Sequence, residues 1–177
     1  MGRDKAALLV SGVTLAVRTA RLLVPNVTRA VEVGGGESGL PSVWEDPPGG
    51  GPLAAIVAGR RHLLELGLDG GAACLVVACD LPRLTNDVVQ RLAAWPGDGS
   101  VLPVIDGRAQ PLCARWSAVD LDLAASTYGE GERSLRGLPD RSSAAMLEEA
   151  SWVDPTALRD ADTPEDLARL GVASNER

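Results

Sequence analysis

Ala72-Ala73-Cys74-Leu75-Val76-Val77-Ala78 is an unbroken apolar run, with Gly71 before it and Cys79-Asp80-Leu81-Pro82 after it. It is short, it is β-branched at Val76 and Val77, and its flanks stop it abruptly. Those features predict a strand of a parallel sheet, buried on both faces. Asp80 then stands at the carboxyl end of that strand, the end of an open α/β sheet that holds ligands.

Elements alternate on either side of it. Leu53, Ile56, Val57, Leu63 and Leu64 recur at helical spacing behind Pro52, which suits a first helical position. Gly67 and Gly70-Gly71 end that helix. Before it, Asp46-Pro47-Pro48-Gly49-Gly50-Gly51-Pro52 is a loop. Ala30–Val33, closed by Gly34-Gly35-Gly36, and Ser42–Glu45 read as short strands, and Val13–Val24 as an amphipathic helix. On the other side, Thr85 is a helix N-cap and Val88, Leu92 and Trp95 mark the helix it opens. Val101–Ile105 and Gln110–Trp116 flank Asp106-Gly107, a hairpin signal. A helix at Val119–Ser126, a turn at Arg133–Leu138, a strand at Ser151–Val153 and a helix at Thr163–Leu170 complete the series. Strand–helix alternation with one inserted hairpin predicts an α/β fold, a mostly parallel sheet with helices on both faces.

Composition narrows the function. The chain has 177 residues, 45% of them apolar and 23% charged, which suits one folded domain spanning 1–177 and excludes bulk disorder. Acidic residues outnumber Lys and Arg by 24 to 17, a net charge of −7 that disfavours nucleic acid and anionic membranes as partners. Four Trp, one Tyr and no Phe leave little for a nucleic-acid stacking platform. No apolar stretch is long enough to span a membrane. Arg3 and Lys5 before Ala6–Val17 imitate a signal peptide, but Asp4 and Ser11-Gly12 break the pattern, so a cytoplasmic protein is expected. Cys74, Cys79 and Cys113 then stay reduced. They lack CxxC spacing and the chain has one histidine, His62, so neither a zinc site nor a Cys–His pair is expected.

Four places offer chemistry, each with a plainer reading. Asp80 is either a Mg²⁺ ligand aimed into the crevice or a turn Asp before the next helix. The loop 46–52 either feeds a helix N-terminus that receives an anion, or only connects. Lys5 is either a point charge on a phosphate or a solvated terminal lysine. Asp160 and Asp162 precede Thr163-Pro164-Glu165-Asp166, where Thr163 or Asp162 caps the helix, and a metal role is the alternative.

Met1-Gly2-Arg3-Asp4-Lys5, Glu45-Asp46, Gly51-Pro52-Leu53-Ala54, Cys79-Asp80-Leu81-Pro82, Gln110-Pro111-Leu112-Cys113-Ala114, Gly131-Glu132-Arg133-Ser134 and Asp162-Thr163-Pro164-Glu165-Asp166-Leu167 occur in this order. Together they resemble the MobA-like nucleotidyltransferases, over essentially the whole chain. The resemblance implies a three-layer αβα Rossmann-like fold. It implies transfer of GMP from GTP to the phosphate of a molybdopterin-type cofactor, with Mg²⁺ and release of pyrophosphate. By the same resemblance, Lys5 contacts the nucleotide phosphates, Asp46 and Gly51 serve the nucleotide side, and Asp80 holds Mg²⁺. Gln110, Asp160 and Asp162 fall on the acceptor side, and molybdenum enzymes or cofactor carriers become possible protein partners. Two departures stand out. Gly34 falls near a family Asn at the guanine site, and Asp160 and Asp162 replace two family Asn residues. The acidic pair leaves a second metal ligand or another acceptor open. A cytidylyltransferase or another small-phosphate nucleotidyltransferase is the neighbouring alternative.

The family's first strand and its Gly-rich loop, Leu-Ala-Gly-Gly, have no counterpart before Asp4-Lys5. The expectation is an N-terminally truncated domain, with an open groove or a repaired edge beside Ala72–Ala78. A non-catalytic paralogue that binds a nucleotide or a partner protein is the corresponding alternative.

Overall fold

The computed structural model describes residues 5–148 and 154–172. After a single 3₁₀ turn at Lys5–Ala7, β1 (Leu9–Val10) and β2 (Val13–Thr14) form a small antiparallel hairpin. Thr14 then caps α1 (Leu15–Leu23) by accepting from the Val17 amide at 3.2 Å. β3 (Glu32–Val33) and β4 (Ser42–Val43) pair in parallel as a separate two-stranded sheet. The chain continues through α2 (Gly51–Glu65), β5 (Cys74–Val77) and α3 (Asn86–Ala93).

β6 (Val101–Ile105) turns through Asp106 (φ 50°) and Gly107 (φ 70°) into β7 (Arg108–Ala109). Two consecutive positive φ values are the type I′ geometry that an Asp-Gly pair favours. β8 (Cys113–Trp116), α4 (Ala118–Gly129), α5 (Leu138–Arg141), β9 (Ala145–Glu148) and α6 (Pro164–Arg169) follow. Ser117 caps α4, and the buried Asp120 accepts from the hydroxyls of Ser117 and Ser100.

β5, β8, β6, β7 and β9 make the main sheet, and alternation along its strands supplies two cores. Val101, Ile105 and Cys113 join Val88, Val89 and Leu92 of α3 on one face. Leu102, Ala114 and the fully buried Trp116 join Leu53 of α2 and Leu121 of α4 on the other. The result is the expected helix–sheet–helix layering.

Strand direction follows the expected pattern: β5, β6 and β9 run the same way, and the inserted hairpin supplies the opposing strands β7 and β8. β5–β8, β6–β7 and β6–β8 are antiparallel, and only β6–β9 is parallel in this sheet. The cause is the hairpin, which returns β8 between β5 and β6 instead of leaving β5 beside a crossover strand. Both faces of the stretch 72–78 meet a core, Leu75 and Val77 on one side and Cys74 and Val76 on the other, while its edge away from β8 has no strand partner among the described residues. The strand contracts to Cys74–Val77, paired with β8 on one side, and from Leu75 onward it is half-buried. On its other side a cavity of about 760 Å³ runs from Ala72 to Asp80, with α1 and α2 among its walls. β9 had no counterpart in the sequence reading, and the strand expected at Ser151–Val153 lies outside the described residues. Among the described residues no helix is long and apolar enough to cross a membrane.

Candidate functional site

Asp80 sits in the turn that leaves β5, half-buried, on the lining of the cavity. The buried Leu81 and Leu84 anchor the chain immediately after it. The segment around Ala161 is fixed against this turn from far along the chain. Its amide donates to the Asp80 carbonyl at 2.8 Å. Ala161 is itself fully buried, in a cluster with Leu8, Val10, Leu15 and Leu167. With Ala161 turned inward, Asp160 and Asp162 on either side of it are exposed. Carboxylate oxygens of Asp80, Asp160 and Asp162 consequently lie within 4.8 Å of one another.

Thr163 is the N-cap of α6 and completes a capping box with Asp166. The Asp166 carboxylate accepts from the amides of Asp162 and Thr163 at 3.2 and 3.1 Å. These bonds, led by the Thr163 hydroxyl, hold the Asp166 carboxyl below its ordinary range. Asp166 thus carries the helix start, while the carboxylates of Asp160 and Asp162 gather with Asp80. Three hard oxygen donors at this separation suit Mg²⁺, which takes one or two carboxylates alongside substrate oxygens. They suit a thiophilic metal poorly.

The loop before α2 is built around its glycines. The Glu45 carboxylate accepts from the Gly49 amide at 3.0 Å, and Gly50 donates to the Pro47 carbonyl at 3.1 Å. A Cβ on Gly50 would stand 2.8 Å from the Ala54 Cβ, so no side chain fits there without a shift. Gly51, at φ 85°, begins the helix against the Arg133 carbonyl. The Tyr128 hydroxyl donates to the Asp46 carbonyl at 3.0 Å, and the Arg133 guanidinium lies 4.2 Å over the Tyr128 ring. Asp46-to-Gly51 and Gly131-to-Ser134, far apart in sequence, are thus one unit. No side chain caps α2. The positive end of its helix dipole lies at this glycine turn, an arrangement that suits an anion.

Of the residues singled out in the sequence, Gly51 and Asp80 line the same cavity, as does Ala6 beside Lys5. The contact expected of the Lys5 side chain lies outside the described residues. Asp46 is exposed at the loop, away from the cavity lining. Asp160 and Asp162 join Asp80. Gln110 is not brought in. Its amide bonds the Pro103 carbonyl, its side-chain nitrogen donates to the Arg108 carbonyl at 3.1 Å, and it serves the turn after β7. His62 is a boundary residue beside Glu65.

Two residues that the sequence did not single out belong to this region. The Glu32 carboxylate accepts from the amides of Gly36, Glu37 and Ser38 at 2.9, 3.1 and 2.7 Å, closing the glycine turn. Burial pushes its pKa up, but hydrogen bonds from Ser38, Glu37 and Gly36 outweigh this and lower it. A glutamate just before three glycines was the available signal. Trp44 lines the cavity beside Glu45, and a lone aromatic carries no periodic signal.

Comparison with known proteins agrees with this architecture. The family model described as the MobA-like NTP transferase domain matches residues 1–146. A molybdenum cofactor guanylyltransferase of Rhodobacter capsulatus is 33% identical over 177 residues, covering 96% of this chain and 87% of that protein. The crystal structure of molybdopterin-guanine dinucleotide biosynthesis protein A from Archaeoglobus fulgidus superposes with a TM-score of 0.72 at 20% identity, covering 96% of this chain and 92% of that one. The 2-C-methyl-D-erythritol 4-phosphate cytidylyltransferase of Thermus thermophilus superposes at 0.65 with 18% identity, over 94% and 91% of the two chains.

Proposed function

This chain belongs to the MobA-like NTP transferase family, and we propose that it transfers GMP from GTP to the terminal phosphate of a molybdopterin-type cofactor. The observation that carries the reading is the convergence of Asp160 and Asp162 on Asp80, which lines the cavity beside β5. In the proposed reaction an acceptor phosphate oxygen attacks the α-phosphorus in line. A new P–O bond forms, the α–β phosphoanhydride bond breaks, and pyrophosphate leaves with the bond's electron pair. No protein nucleophile is required, so the chain's part is positioning and charge stabilisation.

Asp80, with Asp160 and Asp162, would hold Mg²⁺. The ion would neutralise charge that develops on the transferred and departing phosphoryl groups. The N-terminal turn of α2 receives phosphate through its amides and dipole, and the Glu45–Gly49 bond keeps the loop before it in shape. Lys5 supplies a compact positive charge to the same phosphates. Asp160 and Asp162, where the family's Asn pair is expected, give the acceptor side an acidic lining. That lining suits a metal-bridged acceptor phosphate. The reading carries with it a cytoplasmic location, and molybdenum enzymes or cofactor carriers as protein partners.

The test is Asp80→Asn, assayed by pyrophosphate release from GTP with the acceptor present. The fold should persist by circular dichroism, and turnover should fall about 10²–10⁴-fold, or about 3–5 kcal/mol of transition-state stabilisation. Equal turnover of the two proteins in saturating Mg²⁺ removes Asp80 from the mechanism.

A further inference from the structure

We propose that Trp44 is the platform on which the nucleobase of the donor nucleotide stacks; this rests on the nucleotidyltransferase reading above. Trp44 is 61% exposed, the most exposed aromatic ring among the described residues. The other described tryptophans have packing roles. Trp116 is fully buried and donates from its ring nitrogen to the Pro111 carbonyl at 3.0 Å, and Trp95 packs against the core beside α3. Trp44 belongs to none of the hydrophobic clusters. Leaving a large indole in water forgoes the burial that normally justifies it, so its placement needs a reason.

That placement is specific. Trp44 follows β4 directly and lies on the wall of the cavity that also holds Asp80. Opposite it is the glycine turn that follows β3, tied across by the Gly34 amide to the Val43 carbonyl at 2.9 Å. A Cβ built on Gly35 would come to 4.0 Å from the indole Cζ2. Gly34 and Gly36 sit at φ 144° and 80°, conformations that exclude ordinary side chains. The three glycines of this turn place no side chain over the ring. The Glu32 carboxylate, bonded to three amides of the turn, holds it in that shape. A flat, largely exposed π-surface on the wall of the cavity that Asp80 also lines fits a planar base joined to a metal-bound phosphate chain. Stacking of this kind favours any base and favours the larger purine face most. Trp44 thus supplies affinity for the nucleoside end, and discrimination between bases falls to other groups.

The experiment is calorimetric titration of the full chain with GTP, with CTP and with inorganic tripolyphosphate, all with Mg²⁺. Wild type, Trp44→Ala and Trp44→Phe are compared, with melting curves to establish folding. Trp44→Ala should weaken GTP about 5- to 100-fold, the range that base–aromatic stacking supplies. It should leave tripolyphosphate binding unchanged, and Trp44→Phe should recover most of the loss. Titration of wild type followed by indole fluorescence should show quenching by GTP that Trp44→Phe lacks. Undiminished GTP binding by folded Trp44→Ala overturns the assignment while the nucleotidyltransferase reading stands. An equal loss of tripolyphosphate binding overturns it too, because the substitution has then disturbed the loop. Failure of wild type to bind any of the three overturns both.

Discussion

Replacing Asp160 by Asn should make the metal-free protein more stable and the metal-loaded protein relatively less so. Three formal negative charges lie within 4.8 Å of one another. In a water-like dielectric, the weakest-coupling limit for two exposed carboxylates and the half-buried Asp80, each pair repels by about 0.9 kcal/mol. Removing one charge relieves two pairs, or about 2 kcal/mol. In a domain of this size 1 kcal/mol moves the melting temperature by about 2–4 °C. In EDTA, Asp160→Asn should therefore melt about 4–8 °C above wild type. Mg²⁺ at about 100 times its dissociation constant stabilises the folded state by about 2.7 kcal/mol, which raises the wild-type midpoint by about 5–11 °C. The variant, with one ligand fewer, should gain much less, so the two curves close or cross. The assay is a thermal melt in EDTA and across a Mg²⁺ series, with choline chloride matching ionic strength. Wild type and variant responding equally to Mg²⁺, or a variant no more stable in EDTA, refutes the idea of a shared cation site.

Three further outcomes are expected. With Mg²⁺ and a phosphorylated pterin acceptor, GTP should be consumed in preference to CTP; a clear CTP preference in the same assay moves the chain to cytidylyl transfer. Because hydrogen bonds hold the Glu32 pKa below its ordinary value, its contribution is present above the unfolded value of 4.5 and lost as pH falls through the folded one. Amide exchange at Gly36, Glu37 and Ser38, corrected for intrinsic rates, should then lose protection on acidification, and Glu32→Gln should show that loss at neutral pH. An apolar five-residue strand fused ahead of residue 1 should raise the urea midpoint by filling the cavity beside β5, and should weaken GTP binding because the proposed nucleotide site shares that cavity. One such strand occupies about 5 × 10 × 16 Å, or roughly 800 Å³, against the cavity's 760 Å³; a polar strand of equal length is the control, and equal midpoints for the two fusions count against the slot.

What the sequence made legible follows the range of each signal. Asp80 was readable because the apolar run and its stop are contiguous. The Asp106-Gly107 turn and the Thr163 cap were readable because a few neighbouring residues determine them. Pairings between distant segments left no such trace. β9 aligns Ala145 with Val101, and its short, mostly exposed stretch shows no strong alternation. The antiparallel partnership of β5 and β8 depends on where the hairpin returns, which local pattern does not encode. Gln110 was assigned to the acceptor side through resemblance alone, and its side chain is engaged at a turn. The meeting of Asp80 with Asp160 and Asp162 had to await the structure, because the packing of Ala161 creates it. The glycine turn at 34–36 was readable as the close of a strand, but the Glu32 carboxylate that shapes it and Trp44 were not, because each is a single residue with no periodic signal.

The bond from Ala161 to Asp80 also dates the site within the life of the chain. Its ligands are 80 residues apart, and the cluster beneath them joins Leu8 to Leu167. Contacts of such long sequence separation are met only after a large loop-closure cost. On a ribosome, Asp80 emerges long before its two partners, and until residues 160–162 follow it there is no three-carboxylate cage for an ion to enter. The carboxylate cluster and the core beneath it, which needs Leu167, therefore close together, late in the synthesis of the chain.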